Sequence, residues 1–475
     1  MALNINDSRA PGAGGTAPGG AAVTLSYDRG SVLLTGSRPA SREPYAAYLH
    51  WDARVGAHRC LAIHYRALVR ELVRREVLFR DETPRYPQLK LDGASLPEPY
   101  PYQREALTAW SRGKRGTVEL PTGSGKTQLA LRAILEVGRG TLVLVPTLDL
   151  VSQWCAALEG AFGVVPGAIG GGSFEVEPLT VCTYASAHRH AAEFGDRFGL
   201  AVFDECHHLA GAGYAGIADV LIAPYRLGLS ATLERPDRRH LLLEGLVGPV
   251  VFSKPIGELS GRYLADYDVR VIHADLDAAE RRAYREARKT YLEFARARGI
   301  AMSSAGGWQR FVFAAARGAE GRAALDAYFR QKRIAFTAEA KFRVCADLLH
   351  RHRGDRTIIF TNDNATAYEV SRRFLLPIIT HQTRIAERRE ILARFREGAW
   401  PAVVTSKVLN EGVDVPAAGV AVILSGNASV REHVQRLGRI LRRHGDKRAV
   451  LYEVLTRDTA EEFTSQRRRR HDAYR

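Results

Sequence analysis

"GTVELPTGSGKTQLA", residues 116–130, sets a short apolar run against a glycine-rich stretch and then a helix-forming segment. An apolar run without polar alternation reads as a strand buried on both faces, which belongs in a parallel sheet covered by helices. Between that strand and the helix, Gly123 and Gly125 let backbone N–H groups approach an anion at the helix N-terminus. Lys126 is spaced to reach β- and γ-phosphate oxygens, and Thr127 to hold magnesium. Thr122 and Ser124 complete the loop that would bind a nucleotide. The full phosphate-loop pattern has glycine at its first position, where this chain has Leu120. A plain glycine-rich turn is the alternative, and the order strand, loop, GKT, helix argues against it.

The same alternation of apolar runs and helical patterns extends outward. From Gln103 to about residue 262 the runs are "GTVELP", "TLVLVP", "LTVCTYA", "LAVFDE" and "YRLGLSA". A second series comes later, with "RTIIFTN", "LPIITHQ", "AVVTS", "GVAVILSG" and "AVLYEV". The expected fold class is therefore α/β, with two parallel-sheet units in tandem. Residues 1–22, rich in Gly, Ala and Pro, read as a flexible tail. Residues 23–95 read as a small N-terminal α+β domain, closed by the Pro-rich "LPEPYPY" at 96–102. The first large unit is placed at 96–265 and the second at 266–475.

Inside the second unit, 278–335 turns helical. Tyr284, Ala287, Tyr291 and Ala295 share one face, and Trp308, Phe311, Val312 and Ala315 another. Arg281, Arg285, Arg288, Arg296, Arg310 and Arg330 fall opposite them. Two readings stand here: a helical module with a solvated basic face, or an insert that grips nucleic acid.

Composition supports a polyanionic partner. The formal charge is +16 over 475 residues, carried mostly by arginine. A GC-rich genome would explain Arg over Lys but not the surplus over acids, so nucleic acid is the first candidate. The five cysteines are scattered without a C-x-x-C pair, which supports neither a disulfide framework nor a four-cysteine metal site. No signal core or membrane-spanning run is read, and the expected location is the cytoplasm.

"AVFDECHHLA", residues 201–210, offers two acids, a thiol and two imidazoles in succession. Zinc needs ligands converging tetrahedrally, usually from spaced pairs, whereas adjacent residues leaving a strand point to alternating sides. Phosphoryl transfer suits the stretch better. Asp204 would hold magnesium, and Glu205 would orient and deprotonate the attacking water. "SAT" at 230–232 ends the next strand, where hydroxyls can relay the nucleotide's state. In "QRLGRILRR" (435–443), Arg436 and Arg439 are one helical turn apart, beside Gln435, and could enter the nucleotide cleft as arginine fingers.

The order GKT, DECH, SAT, QRxGR resembles the superfamily 2 helicases and translocases. "YPYQREAL" is similar to that family's adenine-side entry, with Gln103 as the base contact. "PTLDLVSQW" resembles its motif Ia, "VCTYASA" motif Ib, "IIFTND" motif IV and "VVTSKVLNEGVDVP" (403–416) motif V, which brings Gly412 and Asp414 to the nucleotide. More specifically, "LHWDARVGAHRC", "ITHQTRIAERREILARFREG" and "LSGNASVREHVQRLGRILR" resemble the archaeal-type XPB helicases, the xeroderma pigmentosum group B family. The resemblance runs from about residue 23 to the C-terminus.

It implies two RecA-like domains, a damage-recognition-like domain at 23–95 and a thumb at the helical insert. It further implies ATP and Mg2+ as cofactors and 3′-to-5′ opening or remodelling of forked, bubble or damaged DNA in nucleotide excision repair. A monomer with a structure-specific nuclease partner is expected, with DNA preferred over RNA on the resemblance alone. The nucleic-acid contacts it implies are Pro146, Thr147, Thr183, Tyr184, Arg235, Asp237, Arg285, Arg288, Thr405 and Ser406. A double-stranded DNA translocase, or an ATP-gated damage clamp that recruits a nuclease with little unwinding, is the competing function.

The family carries an Arg-Glu-Asp loop after motif III, and here "SATLERPDRRH" aligns Arg235 and Asp237 but puts Pro236 in place of the acid. Proline has neither carboxylate nor N–H, and it biases Arg235 toward an extended conformation. If the acid helps part the strands, DNA-stimulated ATPase should be robust and unwinding weak. Pro236→Glu should then raise unwinding per ATP hydrolysed while the ATPase rate stays within a few-fold. Forked-duplex unwinding measured beside ATPase decides this, and equal unwinding per ATP in the two proteins would sink the idea.

Overall fold

The computed structural model describes residues 23–36, 44–211, 213–233, 237–264, 267–302, 304, 306–406, 418–425, 449–462 and 465. The expected tail at 1–22 lies outside them. Three sheets organise the described residues. The first is small: β1 (Val23–Asp28), β2 (Ser31–Thr35), β3 (His50–Asp52), β4 (Ala57–Leu61) and β5 (Phe79–Asp81), in the order β3-β4-β2-β1-β5. Its one α-helix, α1 (Tyr65–Arg74), buries Tyr65, Leu68, Val69 and Leu72 against it.

This small sheet is fastened to the first large unit. Tyr27 OH reaches the carbonyls of Ala192 (3.1 Å) and Val220 (2.9 Å). The approach requires glycine at 195, where a Cβ would sit 2.2 Å from the phenol oxygen. Arg66 donates to the Pro224 and Gly113 carbonyls, both at 3.0 Å, and Arg85 pairs with the buried Asp196.

The second sheet has eight strands: β6 (Arg115–Glu119), β7 (Thr141–Val145), β8 (Gly167–Gly170), β9 (Ser173–Phe174), β10 (Leu179–Thr183), β11 (Leu200–Asp204), β12 (Tyr225–Ser230) and β13 (Val250–Ser253). Their order is β13-β6-β12-β11-β7-β10-β8-β9, parallel except for the β8–β9 pair. Every residue of β7, β10, β11 and β12 is buried, as the unbroken apolar runs require.

Around this sheet lie α2 (Pro101–Ser111), α3 (Lys126–Val137), α4 (Leu148–Phe162), α5 (Tyr184–Phe194) and the short α6 (Ala215–Asp219), α7 (Leu242–Leu246) and α8 (Ile256–Leu259). The side chains of Thr147 and Thr183 cap α4 and α5. The β8–β9 pair and β13 extend the sheet beyond the five runs read from sequence.

In the third sheet, β14 (Tyr267–Ala274), β15 (Thr357–Phe360), β16 (Ile378–Ile379), β17 (Ala402–Thr405), β18 (Val420–Ile423) and β19 (Ala449–Thr456) run in the order β14-β19-β18-β15-β17-β16, all parallel. β14 is not among the runs read from sequence. Between β14 and β15 come α9 (Ala278–Ala297), α10 (Gly307–Ala315), α11 (Ala319–Phe336) and α12 (Glu339–Arg351), and further on α13 (Asn364–Phe374) and α14 (Ile385–Glu397). The insert has its own core of Ala287, Tyr291, Phe294, Phe311, Ala315 and Ala324. Trp308 and Val312, assigned to the packed face by periodicity, remain 40% and 36% exposed.

One strand of the second sheet carries a charge. Arg226 on β12 is wholly buried, and its guanidinium donates to the carbonyls of Ala223 (3.2 Å), Leu246 (2.6 Å), Ala218 (3.0 Å) and Leu221 (2.7 Å). Burial drives its pKa well below the usual arginine value. The planar fork ties α6 and α7 to the strand by main-chain contacts alone. A lysine ammonium, a point donor on a flexible stem, cannot span acceptors so placed. Arg226→Lys should strand at least one or two buried carbonyls and cost about 2–4 kcal/mol. Urea unfolding followed by fluorescence measures this, and a loss below about 0.5 kcal/mol, the scatter of ordinary surface substitutions, would show that the guanidinium does not act as a clamp.

Candidate functional site

Parallel strands place their C-terminal ends along one edge, and the motif residues gather there. Glu119 ends β6, and the loop 120–125 leads into α3 at Lys126. Gly123 (φ 86°) and Gly125 (φ 76°) take the left-handed conformation. At Gly125 a Cβ would also lie 2.5 Å from Gln103 Nε2. Lys126 Nζ donates to the Leu120 carbonyl (3.0 Å) and lies 3.4 Å from that of Pro121. Thr122 Oγ1 and Ser124 Oγ are buried without a hydrogen-bond partner among the described residues. Thr127, half-buried, starts the helix beside Lys126.

Gln103, expected at the base, is 5% exposed and turned to the loop itself. Its Nε2 donates to the Ser124 carbonyl (2.9 Å), its Oε1 accepts from Tyr100 N (2.9 Å), and Tyr102 OH reaches the same Ser124 carbonyl (2.7 Å). It thus braces the loop and caps α2 at once.

Asp204 ends β11 at 8% exposure. Its Oδ2 accepts from Trp154 Nε1 (2.8 Å) and its Oδ1 from Glu205 N (3.0 Å). Burial raises its pKa, while the Trp154 N–H and the Lys126 charge oppose the rise. Glu205 is left-handed (φ 47°, ψ 51°), a conformation that costs a non-glycine residue of order 1 kcal/mol and turns the chain sharply out of the strand.

The next three side chains diverge. Cys206 enters the core, where burial raises its thiol well above the ordinary value. His208 stacks on Tyr184. His207 Nδ1 lies 3.1 Å from Ser230 Oγ and 3.4 Å from Glu205 Oε2. Because Ser230 Oγ donates to the Thr232 carbonyl (2.9 Å), it accepts from His207, which assigns the proton to Nδ1.

A polar chain therefore runs from Glu205 through His207 and Ser230 to Thr232. Glu119 joins it, accepting from Leu233 N (2.9 Å) and Ser253 Oγ (3.1 Å). Sequence reading missed Glu119 and Trp154, although both stand inside the motifs it quoted. An ammonium and two hydroxyls left unpartnered by the described residues, on a glycine loop close to two carboxylates, form a donor set that fits a phosphate chain with a divalent cation.

The expected nucleic-acid residues divide. Pro146 and Thr147 stand half-buried at the end of β7. Thr147 Oγ1 accepts from Leu150 N (3.3 Å). Thr183 is 6% exposed and donates to Ser186 Oγ (2.9 Å). Tyr184 is a correction: it is 1% exposed, and its hydroxyl donates to the Asp204 carbonyl (2.9 Å), so it offers no surface to a nucleic acid. Burial raises its phenol well above the ordinary value. The first turn of α5 faces inward, which the tripeptide around Tyr184 does not reveal.

Thr405 and Ser406 are buried at the end of β17. Asp237 is exposed and accepts from Arg239 N (3.2 Å), and Arg285 is exposed on α9. Arg288 is half-buried, with Nη1 3.5 Å from Tyr291 OH. Arg235, Gly412, Asp414, Gln435, Arg436 and Arg439 lie outside the described residues. The two parallel units meet at α4, where Arg388 of α14 pairs with Asp149, and Arg389 Nη2 donates to Ser152 Oγ (3.2 Å). Among the described residues no helix is long and apolar enough to cross a membrane.

Comparison with known proteins finds three family models along the chain. Residues 25–83 match the xeroderma pigmentosum group B helicase damage recognition domain, 96–235 the type III restriction enzyme res subunit, and 324–472 the ERCC3/RAD25/XPB C-terminal helicase. The chain is 39% identical over 451 residues to "DNA 3'-5' translocase XPB2" of Sulfurisphaera tokodaii, covering 94% of this chain and 100% of that one. To "DNA 3'-5' helicase XPB" of Kineococcus radiotolerans it is 30% identical, covering 78% of this chain and 62% of that longer one. Saccharomyces cerevisiae Dbp5, solved bound to RNA and ADP BeF3, shares the fold at a TM-score of 0.56 and 16% identity, over 80% of this chain and 88% of that one. The two parallel sheets are RecA-like, and with full-length coverage of a relative at this identity the chain belongs to the XPB family of superfamily 2 helicases and translocases.

Proposed function

We propose that this chain is a DNA-dependent ATPase that moves 3′ to 5′ on DNA, in the manner for which its XPB relatives are named. The observation that carries the reading is the joint placement of Lys126, Asp204 and Glu205 at one sheet edge, in a chain matched end to end by a named DNA translocase. Likeness to RNA-bound Dbp5 supports the fold alone, so the choice of DNA rests on the XPB relatives.

Lys126, Thr122, Ser124 and the loop N–H groups would bind the phosphates, and Gln103 holds that loop in shape. Thr127 and Asp204 would hold magnesium, which when bound supplies charge neutralisation on the phosphate oxygens. Glu205 orients the attacking water and takes its proton as the oxygen bonds to the γ-phosphorus and the bond to ADP breaks. Gln435, Arg436 and Arg439 would meet the developing charge from the second unit, with Gly412 and Asp414 nearby; an arginine finger supplies roughly 10³–10⁵ in rate.

For DNA we assign Pro146 and Thr147 on the first unit, Arg235 and Asp237 after motif III, and Arg285 and Arg288 on the insert; Thr183, Thr405 and Ser406, buried like Tyr184, offer it no surface. The units doing this work are 23–95, 96–265 and 266–475, with 278–335 as a thumb. A role in repair and a nuclease partner rest on the resemblance, the cytoplasmic location on cysteines scattered without a C-x-x-C pair, and a monomeric state is proposed with them. Pro236, together with the name translocase on the 39% identical relative, favours remodelling of duplex with little unwinding.

Steady-state ATPase with no nucleic acid, single-stranded, forked and duplex DNA, and RNA should show stimulation by DNA over RNA. Lys126→Ala should abolish hydrolysis. Glu205→Gln should keep nucleotide binding and lose about 10²–10⁴ in turnover. Tyr184→Phe should leave DNA affinity unchanged. Turnover within a few-fold of normal in Glu205→Gln, or equal stimulation by RNA, would overturn the assignment.

A further inference from the structure

Both oxygens of Asp204 are held by N–H groups, one from Glu205 in the adjacent main chain and one from Trp154, fifty residues earlier in the sequence. Trp154 stands on the buried stripe of α4 with Val151, Leu158 and Ala161. A tryptophan on such a stripe is ordinarily core, with its N–H answered by a main-chain carbonyl. Trp110, the other wholly buried indole of this unit, behaves in that way and donates to the Arg226 carbonyl at 2.9 Å. Trp154 donates instead to a side-chain carboxylate, over 2.8 Å.

We infer that Trp154 is a positioning residue for the divalent cation: its indole N–H fixes the plane of the Asp204 carboxylate at the nucleotide site. The inference rests on the reading of Asp204 as a magnesium ligand. A carboxylate has about four lone-pair directions. With one on each oxygen taken, the other two are fixed relative to the strand end and the glycine loop. Turning the carboxylate would break a bond at a place where Asp204 is 8% exposed and Trp154 2%, so water cannot readily replace it. Partners of this kind set the direction and basicity of a ligand without touching the metal, and their loss typically lowers metal affinity about 10–100-fold.

The helix that carries the indole is also held on its outer side by Arg388 and Arg389 of the second unit. Trp154 is therefore anchored from both sides of α4, in register with Asp204.

The test is a magnesium titration of fluorescent ATP binding to the full chain without DNA. Two variants remove the N–H: Trp154→Phe, and replacement by 3-benzothienylalanine, whose sulfur keeps the indole outline and leaves no cavity. Asp204→Asn is run beside them. In both Trp154 variants nucleotide affinity in chelator should stay within about two-fold, while the magnesium midpoint rises about 10–100-fold. ATPase should recover toward the parent rate at high magnesium. An unchanged midpoint in the benzothienyl protein, with the midpoint shifted in Asp204→Asn, overturns the positioning role and leaves Trp154 as core. An unchanged midpoint in Asp204→Asn overturns the metal reading beneath it.

Discussion

The parallel sense of β6, β12, β11, β7 and β10 is the constraint on which the rest of the site depends. Because these strands run the same way, each delivers its following loop to the same edge. Their lateral order then rearranges the sequence: the phosphate loop after β6 and Asp204 on β11 come to flank Ser230 on β12, and Thr147 and Thr183 lie beyond. Leu120 N donates to the Ser230 carbonyl (3.0 Å) from one side, and His207 reaches its hydroxyl from the other. The motif between the two phosphate-handling loops is thus the one able to touch both.

Buried polarity at this edge is directed rather than merely tolerated. A carboxylate removed from water costs several kcal/mol unless it is paired or hydrogen-bonded. Asp204 meets that cost with two N–H groups and the nearby Lys126 charge. Arg226, far from the phosphate loop in sequence but on the strand beside it in the sheet, meets a similar cost with carbonyls alone. The second unit uses a third solution, the wholly buried Lys341 paired with Glu461 (2.6 Å) and donating to the Leu424 carbonyl (2.7 Å). In each case the partners are drawn from separate segments, so one side chain fixes the mutual placement of several.

Much of this was legible in the sequence, for a physical reason. Strands buried on both faces leave unbroken apolar runs, and the loop chemistry after β6, β11 and β12 is local, so those elements, and the placement of Lys126, Asp204 and Glu205 at their ends, could be read directly. β14 escaped because "YDVRVIHA" alternates polar and apolar residues, as suits a strand that, among the described residues, pairs with β19 alone. Tyr184 was read as a nucleic-acid contact because its motif suggests one, and spacing along the chain does not tell which way a helix's first turn faces. Trp154 went unread, since the carboxylate it meets is fifty residues away and the β7–β11 pairing is what brings α4 alongside it. Trp308 fits a helical stripe, yet α10 packs against its neighbours along a narrower seam than the stripe allows.

The attachment of the small sheet has a kinematic consequence. Tyr27, Arg66 and Arg85 fasten it to Ala192, Val220, Pro224, Gly113 and Asp196, all of them parts of the first RecA-like unit. The described residues form three sheets but, on these contacts, two bodies. Any turn of the second unit about α4 would leave the small sheet at a constant distance from the phosphate loop. Whatever the small sheet touches would be held in a frame of reference that the nucleotide shares, and the displacement between that point and the second unit would be the quantity the machine changes.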